Sequence, residues 1–144
     1  MSEIYQHILR THKWIYMRTG GMVGHRLLFG NPTLLIRTRG RKSGLPRTSA
    51  LTYARDGGTY LVVASAGGAA KPPDWLANLS AQPECEMQIG RRSQRVRARI
   101  TLPTDPDYAR RWSTLDGVNK GRYTAYQNKT SRMIPIVELA PMKS

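Results

Sequence analysis

The apolar positions of the chain change their spacing near residue 34, which separates a helical start from a longer region of strands. Over Glu3–Met17 the isoleucines recur at helical spacing, so this range is predicted to form an amphipathic helix. Such a helix most often covers a core. Its polar side carries cations beside Trp14, and this combination would also suit an anionic lipid surface.

From residue 34 onward the apolar positions approach a period of two, which is typical of strands. Asp56, Gly57 and Gly58 predict a tight hairpin turn between the second and third strands. Short connections of this kind predict an antiparallel meander, and five such strands tend to close into a small barrel because open edges invite aggregation. The predicted strands span Thr33–Arg37, Arg47–Ala54, Thr59–Ser65, Cys85–Ile89 and Ser93–Leu102.

The fifth predicted strand shows a regular alternation of charge. Over Arg95–Ile100 each arginine is followed by an apolar residue. One face of this strand is therefore expected in the core, and the other is expected to carry cations into water.

Helical segments are predicted after the third strand and after the fifth. The first begins with Pro73 and ends before Pro83, because proline is tolerated only in the first turn of a helix. The second opens at Pro106 after a cap from Thr104 or Asp105. Both helices would flank the sheet.

The C-terminal region adds a further helix and a further strand. A helical segment is predicted over Lys120–Asn128 and a strand over Met133–Leu139. Pro135 predicts either that this strand lies at an edge of the sheet or that the strand starts at this proline, since proline cannot donate to a strand ladder. The chain is therefore expected to be mainly β with flanking helices, an α+β class, in one domain over residues 1–144.

Charge narrows the class of partner. The chain has 23 Lys and Arg against 9 Asp and Glu, a formal net charge of +14. This excess implies a nucleic acid, an anionic membrane or a polyanionic small molecule. The strands lack the closely spaced aromatic residues that stack bases, so no specific nucleic acid is expected.

Composition also bears on location. Cys85 is the single cysteine, so no disulfide framework is expected. No apolar run is long enough to span a bilayer, and the chain does not begin with the apolar core of a signal peptide. The expected location is the cytoplasm, with peripheral contact at the inner face of the plasma membrane as a further role for the first helix.

A cation-rich segment, Thr38–Thr48, stands between the first two predicted strands and is called the cationic turn below. Arg39, Arg41, Lys42 and Arg47 crowd around two glycines and a proline in this segment. Glycine exposes backbone N–H groups that can point at phosphate oxygens, and arginine presents a planar fork to phosphate or carboxylate. The segment is therefore either an anion-binding site or a solvated basic hairpin tip.

Two other segments are candidates for chemistry. Ala64–Ala70, called the small-residue loop below, would let a flat ligand approach the backbone closely or would serve only as a connector. Tyr123 and Tyr126 lie three apart and share one helical face, where packing is the commoner role.

Familiar catalytic motifs are absent from the sequence. It contains no nucleophile elbow, no phosphate-binding P-loop and no CxxC pair. Its three histidines, His7, His12 and His25, lack the spacing of metal ligands, so no metal is expected. A cofactor would have to supply the chemistry of an enzyme with this sequence.

Three blocks resemble the deazaflavin-dependent nitroreductase family of actinobacteria, a group of small split β-barrel oxidoreductases and quinone reductases that use coenzyme F-420. The blocks are TRGRKSGLPRTSALTYARDGG, VVASAGGAAKPPDWLANLSAQP and YTAYQNKTSRMIPIVEL, and they occur in the family's order. The resemblance implies an FMN-binding split-barrel-like fold. It also gives the positive charge a small-molecule explanation, because the coenzyme carries a phosphodiester and an oligoglutamate tail.

The resemblance also implies roles for individual residues. Tyr126, Tyr123 and Ser65 would be catalytic: the tyrosines would line the substrate pocket and assist protonation, and Ser65 would lie near the deazaflavin ring. Ala66 and Lys129 depart from some relatives, which bears on the substrate rather than on the coenzyme. The residues expected to bind the coenzyme are Arg41, Lys42, Ser43, Arg47, Thr48, Ser49, Ala50, Ala64, Ser65, Ala66, Gly67, Trp75 and Asn78.

The expected reaction is hydride transfer from reduced coenzyme F-420 to a quinone-like acceptor of the menaquinone class, with nitroaromatic compounds reduced as a side activity. Three alternatives stay open at this point. They are a split-barrel reductase that uses FMN, a barrel that binds the coenzyme or an apolar ligand without turnover, and a basic nucleic-acid-binding barrel.

Overall fold

A computed structural model describes residues 31–143. Over this range it contains seven strands, three α-helices and one 3-10 turn. The predicted helix over Glu3–Met17 and the three histidines lie outside the described residues. The strands are β1 (Thr33–Arg39), β2 (Pro46–Thr52), β3 (Ala54–Asp56), β4 (Thr59–Val63), β5 (Glu84–Ile89), β6 (Arg92–Thr101) and β7 (Ile136–Pro141), and the helices are α1 (Asp74–Ala81), α2 (Tyr108–Val118) and α3 (Arg122–Gln127), with the 3-10 turn at Ala66–Gly68.

All neighbouring strands are antiparallel, in the order β2-β1-β5-β6-β7-β4-β3. The predicted hairpin turn is confirmed, since Asp56 is the partner of Thr59 across Gly57 and Gly58. The predicted meander is wrong, because β1 lies beside β5 and β4 lies beside β7. Short loops determine which strands form a hairpin, whereas the neighbours of each hairpin depend on how the sheet closes.

Closure of the sheet depends on the second predicted strand. The structure divides it into β2 and β3, which lie at opposite ends of the strand order yet are joined by Tyr53 alone. The backbone N–H of Tyr53 donates to the carbonyl of Pro32 at 3.1 Å. One bent strand therefore connects the two edges of the sheet, and the curled sheet forms the expected split barrel, mainly β with flanking helices.

Strand β7 occupies the middle of the sheet between β6 and β4. Pro135 immediately precedes it, so the prediction of a strand start is confirmed and the prediction of an edge strand is wrong. Pro135 still contributes to the sheet, because its carbonyl accepts from the N–H of Ala64 at 3.1 Å. This bond extends the pairing of β4 and β7 by one residue, to the start of the small-residue loop.

Strand β4 shows where the two apolar layers lie. Val62 belongs to a buried cluster with Leu34, Met87 and Val137, inside the curled sheet. Its neighbours Leu61 and Val63 belong to a second cluster with Leu115 and Tyr123, which come from α2 and α3. Because successive side chains of a strand point to opposite faces, β4 is buried on both sides and helices α2 and α3 cover its outer face.

The predicted alternation of β6 is confirmed at most positions. Arg95, Arg97 and Arg99 are exposed, whereas Val96 is fully buried. Ile100 departs from the pattern, with 37% of its surface exposed near the end of the strand. Carboxylates also neutralise part of the cationic face, as in the 2.7 Å pair between Arg97 and Glu84.

Helix α2 begins at Tyr108, two residues later than Pro106. Asp105 accepts from the N–H of Asp107 at 2.9 Å and from Arg99 at 3.0 Å. Its carboxylate therefore caps the turn that precedes the helix rather than the helix itself.

Candidate functional site

The cationic turn is held by its own backbone. The N–H of Gly40 donates to the carbonyl of Leu45 at 2.9 Å, and the N–H of Gly44 donates to the carbonyl of Gly40 at 2.8 Å. Arg39 adds a bond from its Nη1 to the Gly44 carbonyl at 3.1 Å. These bonds fix the shape of the turn and present its remaining cations to solvent.

Helix α1 anchors the turn to the barrel through one buried side chain. Asn78 accepts from the backbone N–H of Arg41 at 3.1 Å and donates to Thr38 Oγ1 at 3.3 Å. Trp75, one turn earlier on the helix, lies in the inner cluster that also contains Ala64. The predicted site residues of α1 thus connect the cationic turn to the core beneath the small-residue loop.

Three cations of the turn form no ion pair, in contrast to the five arginines of the described residues that pair with carboxylates. Arg41, Lys42 and Arg47 are exposed, and none of them contacts a carboxylate within residues 31–143. In the same range the N–H groups of Lys42 and Ser43 form no hydrogen bond. These donors and charges are available to an anion from solvent.

Gly40 is where two predicted ligands come together. A β carbon placed on Gly40 would lie 2.6 Å from Ser43 Oγ and 3.8 Å from Arg47 Nε. The side chains of Ser43 and Arg47 therefore lie over the backbone of Gly40. They occupy space that a side chain at position 40 would take. This convergence is compatible both with an anion-binding turn and with a solvated tip, because Ser43 Oγ also accepts from the Leu45 N–H within the turn at 3.2 Å.

Three of the four predicted ligands on β2, namely Thr48, Ser49 and Ala50, do not share one face. Ser49 is opposite Ile36, whose side chain lies in the inner cluster, so Ser49 shares the inner face. Thr48 and Ala50 occupy the other face of the strand. All three are half-buried. A single ligand surface on this strand would therefore reach the side chain of Ser49 or those of its neighbours, but not all three.

The small-residue loop has an unusual backbone. Ala66, Gly67 and Gly68 have φ values of 47°, 65° and 83°, three consecutive residues in the left-handed region. Ala66 pays a steric cost there that glycine avoids. The loop is closed by bonds from the Gly68 N–H to the Ser65 carbonyl at 2.9 Å and from the Ala69 N–H to the Ala66 carbonyl at 3.2 Å.

Ser65 combines burial with unused hydrogen-bonding groups. Only 8% of its surface is exposed. Within the part of the chain that the structure describes, no group bonds to its hydroxyl or to its backbone N–H. Buried polar groups are nearly always hydrogen-bonded, so a bound ligand or solvent is expected to satisfy them.

Arg132 was missed by the reasoning from sequence. Its guanidinium donates to three carbonyls of the small-residue loop: Ala64 at 3.2 Å, Ser65 at 2.7 Å and Ala69 at 2.9 Å. Burial lowers the pKa of this guanidinium from its usual value. A single arginine 63 residues or more from its partners carries no periodic or motif signal, so only the folded structure reveals it.

The two candidate tyrosines have different environments. Tyr123 is only 5% exposed and packs in the outer cluster, whereas Tyr126 is half-buried. Their rings are 6.3 Å apart in an edge-to-face arrangement. Lys129 Nζ lies 5.8 Å from the centre of the Tyr126 ring, within the range of a cation–π contact. Tyr126 is therefore the more accessible of the two phenols.

Helix α3 and the small-residue loop pack backbone to backbone. A β carbon on Gly68 would lie 2.6 Å from the carbonyl oxygen of Tyr126. Gln127 fixes the chain after the helix, because it donates to the Arg132 carbonyl at 2.8 Å and accepts from the Ile134 N–H at 3.0 Å. These contacts connect Tyr126 to the small-residue loop, and Arg132 connects Gln127 to Ser65 of the same loop.

A network of charges around Asp56 and Glu138 stabilises the fold. Hydrogen bonds from Arg110 and Arg111 lower the pKa of Asp56 to about 2. Burial alone would raise the pKa of Glu138, but bonds from Arg111 and Arg99 lower it overall. These groups join the β3–β4 hairpin, β7 and α2.

Within residues 31–143, no three His, Cys, Asp or Glu side chains lie together as potential metal ligands. Over the same range, no helix has the length and apolar character needed to cross a bilayer.

Known proteins are similar to this chain in both sequence and fold. A family model described as "F420H(2)-dependent quinone reductase" matches residues 8–141. An F420H(2)-dependent quinone reductase of Mycobacterium tuberculosis is 48% identical over 132 residues, which cover 92% of this chain and 89% of that protein. The chain belongs to this family. The predicted family membership is confirmed. The prediction of an oxidoreductase that depends on coenzyme F-420 is confirmed as well.

Solved structures agree with this assignment. A protein described as an F420-H2 dependent reductase superposes with a TM-score of 0.67 at 32% identity, over 75% of this chain and 93% of that one. Another, described as a domain-swapped dimer, gives a TM-score of 0.69 at 29% identity, over 93% of this chain and 98% of that one. The split-barrel fold of this family is therefore present here.

The residues of the site fit such a cofactor. Within residues 31–143, the cationic turn supplies unpaired positive charges and free N–H groups for a phosphate, and Ser65 supplies buried polar groups that have no partner. Gly67 and Gly68 have left-handed backbone that favours glycine, and because glycine has no side chain a ligand can approach the loop closely there. The roles of individual residues toward the coenzyme stay predictions.

Proposed function

We propose that this protein transfers a hydride from reduced coenzyme F-420 to a quinone of the menaquinone class, and that nitroaromatic compounds are reduced by the same site. The observation that carries the proposal is that the cationic turn and Ser65 both offer donors without a partner in residues 31–143. Helix α1 bonds to the turn through Asn78 and shares the inner cluster with Ala64, the neighbour of Ser65. The 48% identity to a mycobacterial protein named as a quinone reductase supports the quinone as acceptor.

In this proposal the cationic turn binds the phosphate end of the coenzyme. Arg41 and Lys42 are exposed and have no carboxylate partner within residues 31–143. Asn78 holds the backbone of Arg41 in place, so the turn is organised before the ligand arrives. A preorganised site loses less conformational entropy on binding than a flexible one.

The small-residue loop would orient the reactive ring. When bound, the coenzyme supplies the two electrons and the hydrogen of the hydride. Ser65 offers a hydroxyl and an N–H to acceptor atoms of the ligand, and the glycines of the loop allow close approach. The protein contributes position and hydrogen bonds rather than a nucleophile.

Tyr126 is the proposed proton donor for the quinone. A quinone that accepts a hydride needs one further proton to become a hydroquinone, and a phenol can donate it. Tyr126 is half-buried beside the small-residue loop, whereas Tyr123 is part of the outer apolar cluster. Tyr123 is therefore proposed to support the position of Tyr126.

Membrane contact through the N-terminal helix stays a prediction, because that helix lies outside the described residues.

Coenzyme binding and turnover test the proposal directly. Titration with coenzyme F-420 should quench its fluorescence, and the reduced coenzyme should be oxidised when menadione is added, faster than in the enzyme-free control. Binding without turnover on menadione or a nitroaromatic would indicate a carrier. Tight FMN binding with turnover would indicate an FMN reductase, and absence of coenzyme binding would refute the proposal.

Matched variants separate the two tyrosines. Tyr126→Phe should lower quinone turnover by at least about tenfold at unchanged coenzyme affinity, because a positioned proton donor contributes that much or more. Tyr123→Phe should lower turnover less, because it keeps the buried ring that packs against Tyr126. The reverse order would assign the proton to Tyr123.

A further inference from the structure

The guanidinium of Arg132 lies behind the small-residue loop and binds it at three points. Its donors reach the carbonyls of Ala64, Ser65 and Ala69 at distances between 2.7 and 3.2 Å. Arg132 contacts no carboxylate within residues 31–143, unlike the arginines of the ion pairs around Asp56 and Glu138. Within these residues, the hydrogen bonds of the Arg132 guanidinium therefore go to backbone carbonyls.

The orientation of two N–H groups follows from these bonds. No peptide bond of the described residues is cis, and in a trans peptide the C=O and the next N–H point in opposite directions. Because Arg132 binds the carbonyls of Ala64 and Ser65, the N–H groups of Ser65 and Ala66 point away from it. Neither N–H has a hydrogen-bond partner within residues 31–143.

The loop needs an external support to keep this arrangement. Ala66 has a φ of 47°, an uncommon value for a residue with a side chain, and two left-handed glycines follow it. Arg132 is itself held in place, since its carbonyl accepts from Gln127 at 2.8 Å. The support therefore runs from helix α3 through Gln127 and Arg132 to the loop.

We propose that Arg132 is a positioning residue of the coenzyme site: by holding the carbonyls of Ala64 and Ser65 from behind, it aims the N–H groups of Ser65 and Ala66 at acceptor atoms of the bound ring. This inference rests on the proposed function. Arginine suits the role because its planar fork can bind several carbonyls at once, whereas the ammonium of lysine is a single point charge.

Two substitutions and one control test the inference. Arg132→Ala removes all three bonds, and Arg132→Lys keeps the charge without the fork. Arg97→Ala removes the same charge from an exposed position of β6. Coenzyme affinity is measured by fluorescence, kcat and KM by oxidation of the reduced coenzyme with menadione, and loop order by hydrogen exchange over residues 64–70 in the free protein.

The expected results are specific to an arginine that orients the loop. Arg132→Ala should raise the coenzyme Kd by about tenfold or more, since several charge-assisted bonds hold the loop. Exchange at the amides of Gly68 and Ala69 should accelerate, and added guanidinium ion should restore affinity when sodium ion at equal concentration does not. Arg132→Lys should give an intermediate Kd, and Arg97→Ala should match the wild type.

The outcomes distinguish this inference from the proposed function. If the wild type binds the coenzyme and Arg132→Ala binds equally well with unchanged loop exchange, the positioning role is wrong while the proposed function stands. If the wild type does not bind the coenzyme, the proposed function fails and the inference fails with it. If Arg132→Ala does not fold, the folded Arg132→Lys variant decides: wild-type affinity and exchange would overturn the role.

Discussion

Replacement of Gly68 by alanine tests how closely helix α3 and the small-residue loop must pack. The new β carbon would lie 2.6 Å from the Tyr126 carbonyl oxygen, 3.0 Å from the Tyr126 α carbon and 3.2 Å from the β carbon of Lys129. Two of these atoms belong to the backbone, so a side-chain rotation cannot relieve the overlap. Either the loop or the helix must move.

Gly67 offers a matched control one residue away. Its φ is 65°, close to the 83° of Gly68, but a β carbon there would meet no atom within 4 Å. Gly67→Ala should therefore cost only the strain of a left-handed alanine, about 1–2 kcal/mol. Gly68→Ala should cost that strain and an overlap of about 1–3 kcal/mol, which sums to about 2–5 kcal/mol.

Urea unfolding of both variants measures the difference in the free energy of unfolding. Coenzyme titration of the same variants shows whether the loop moved, because a displaced loop should weaken binding even where stability is recovered. Gly68→Ala should be the less stable variant or the weaker binder. Equal stability and equal affinity of the two variants would refute the proposed close packing of the loop on Tyr126.

Three further predictions concern charge and reactivity. Arg41→Ala combined with Lys42→Ala should raise the coenzyme Kd by at least about tenfold, and unchanged affinity in a fluorescence titration would return the cationic turn to a solvated tip. Asp56 has a folded pKa of about 2 against a usual 3.8, so the stability it contributes is present above its usual pKa and is lost as the pH falls from about 3.8 through about 2. Asp56→Asn should accordingly lose less stability between about pH 4 and about pH 2 than the wild type does in urea unfolding. An unchanged pH dependence would contradict the effect of its arginine partners. Burial raises the pKa of the Cys85 thiol to about 11, so alkylation at neutral pH, followed by mass spectrometry, should be slow until urea unfolds the protein, and rapid labelling of the folded protein would contradict this burial.

The local elements of the fold were predictable because their causes are local. The two glycines after Asp56 fix a tight hairpin turn, and alternation along β6 separates exposed arginines from buried Val96. The cationic turn was also identified from its composition alone. Its interpretation as part of a coenzyme site depended on the order of three blocks along the chain. The comparison confirmed the family that these blocks indicate, and the role of the turn stays a prediction.

Contacts between distant segments could not be predicted in this way. Asn78 bonds the backbone of Arg41 across 37 positions, and the strand order places β1 beside β5 rather than in a meander. Neither contact changes the periodicity of its own segment. The face of β2 that carries Ser49 likewise depends on its register with β1.

The sequence by itself determined the charge, the hairpins, the mainly β class and the family of this protein, because these depend on composition, short-range spacing and ordered motifs. Only the tertiary structure decided that Arg132 supports the small-residue loop and that Tyr126 is more accessible than Tyr123. The physical reason is that hydrogen-bond partners and burial are properties of groups brought together by closure of the barrel. A chain read in order shows which groups are present, and the folded barrel shows which of them meet.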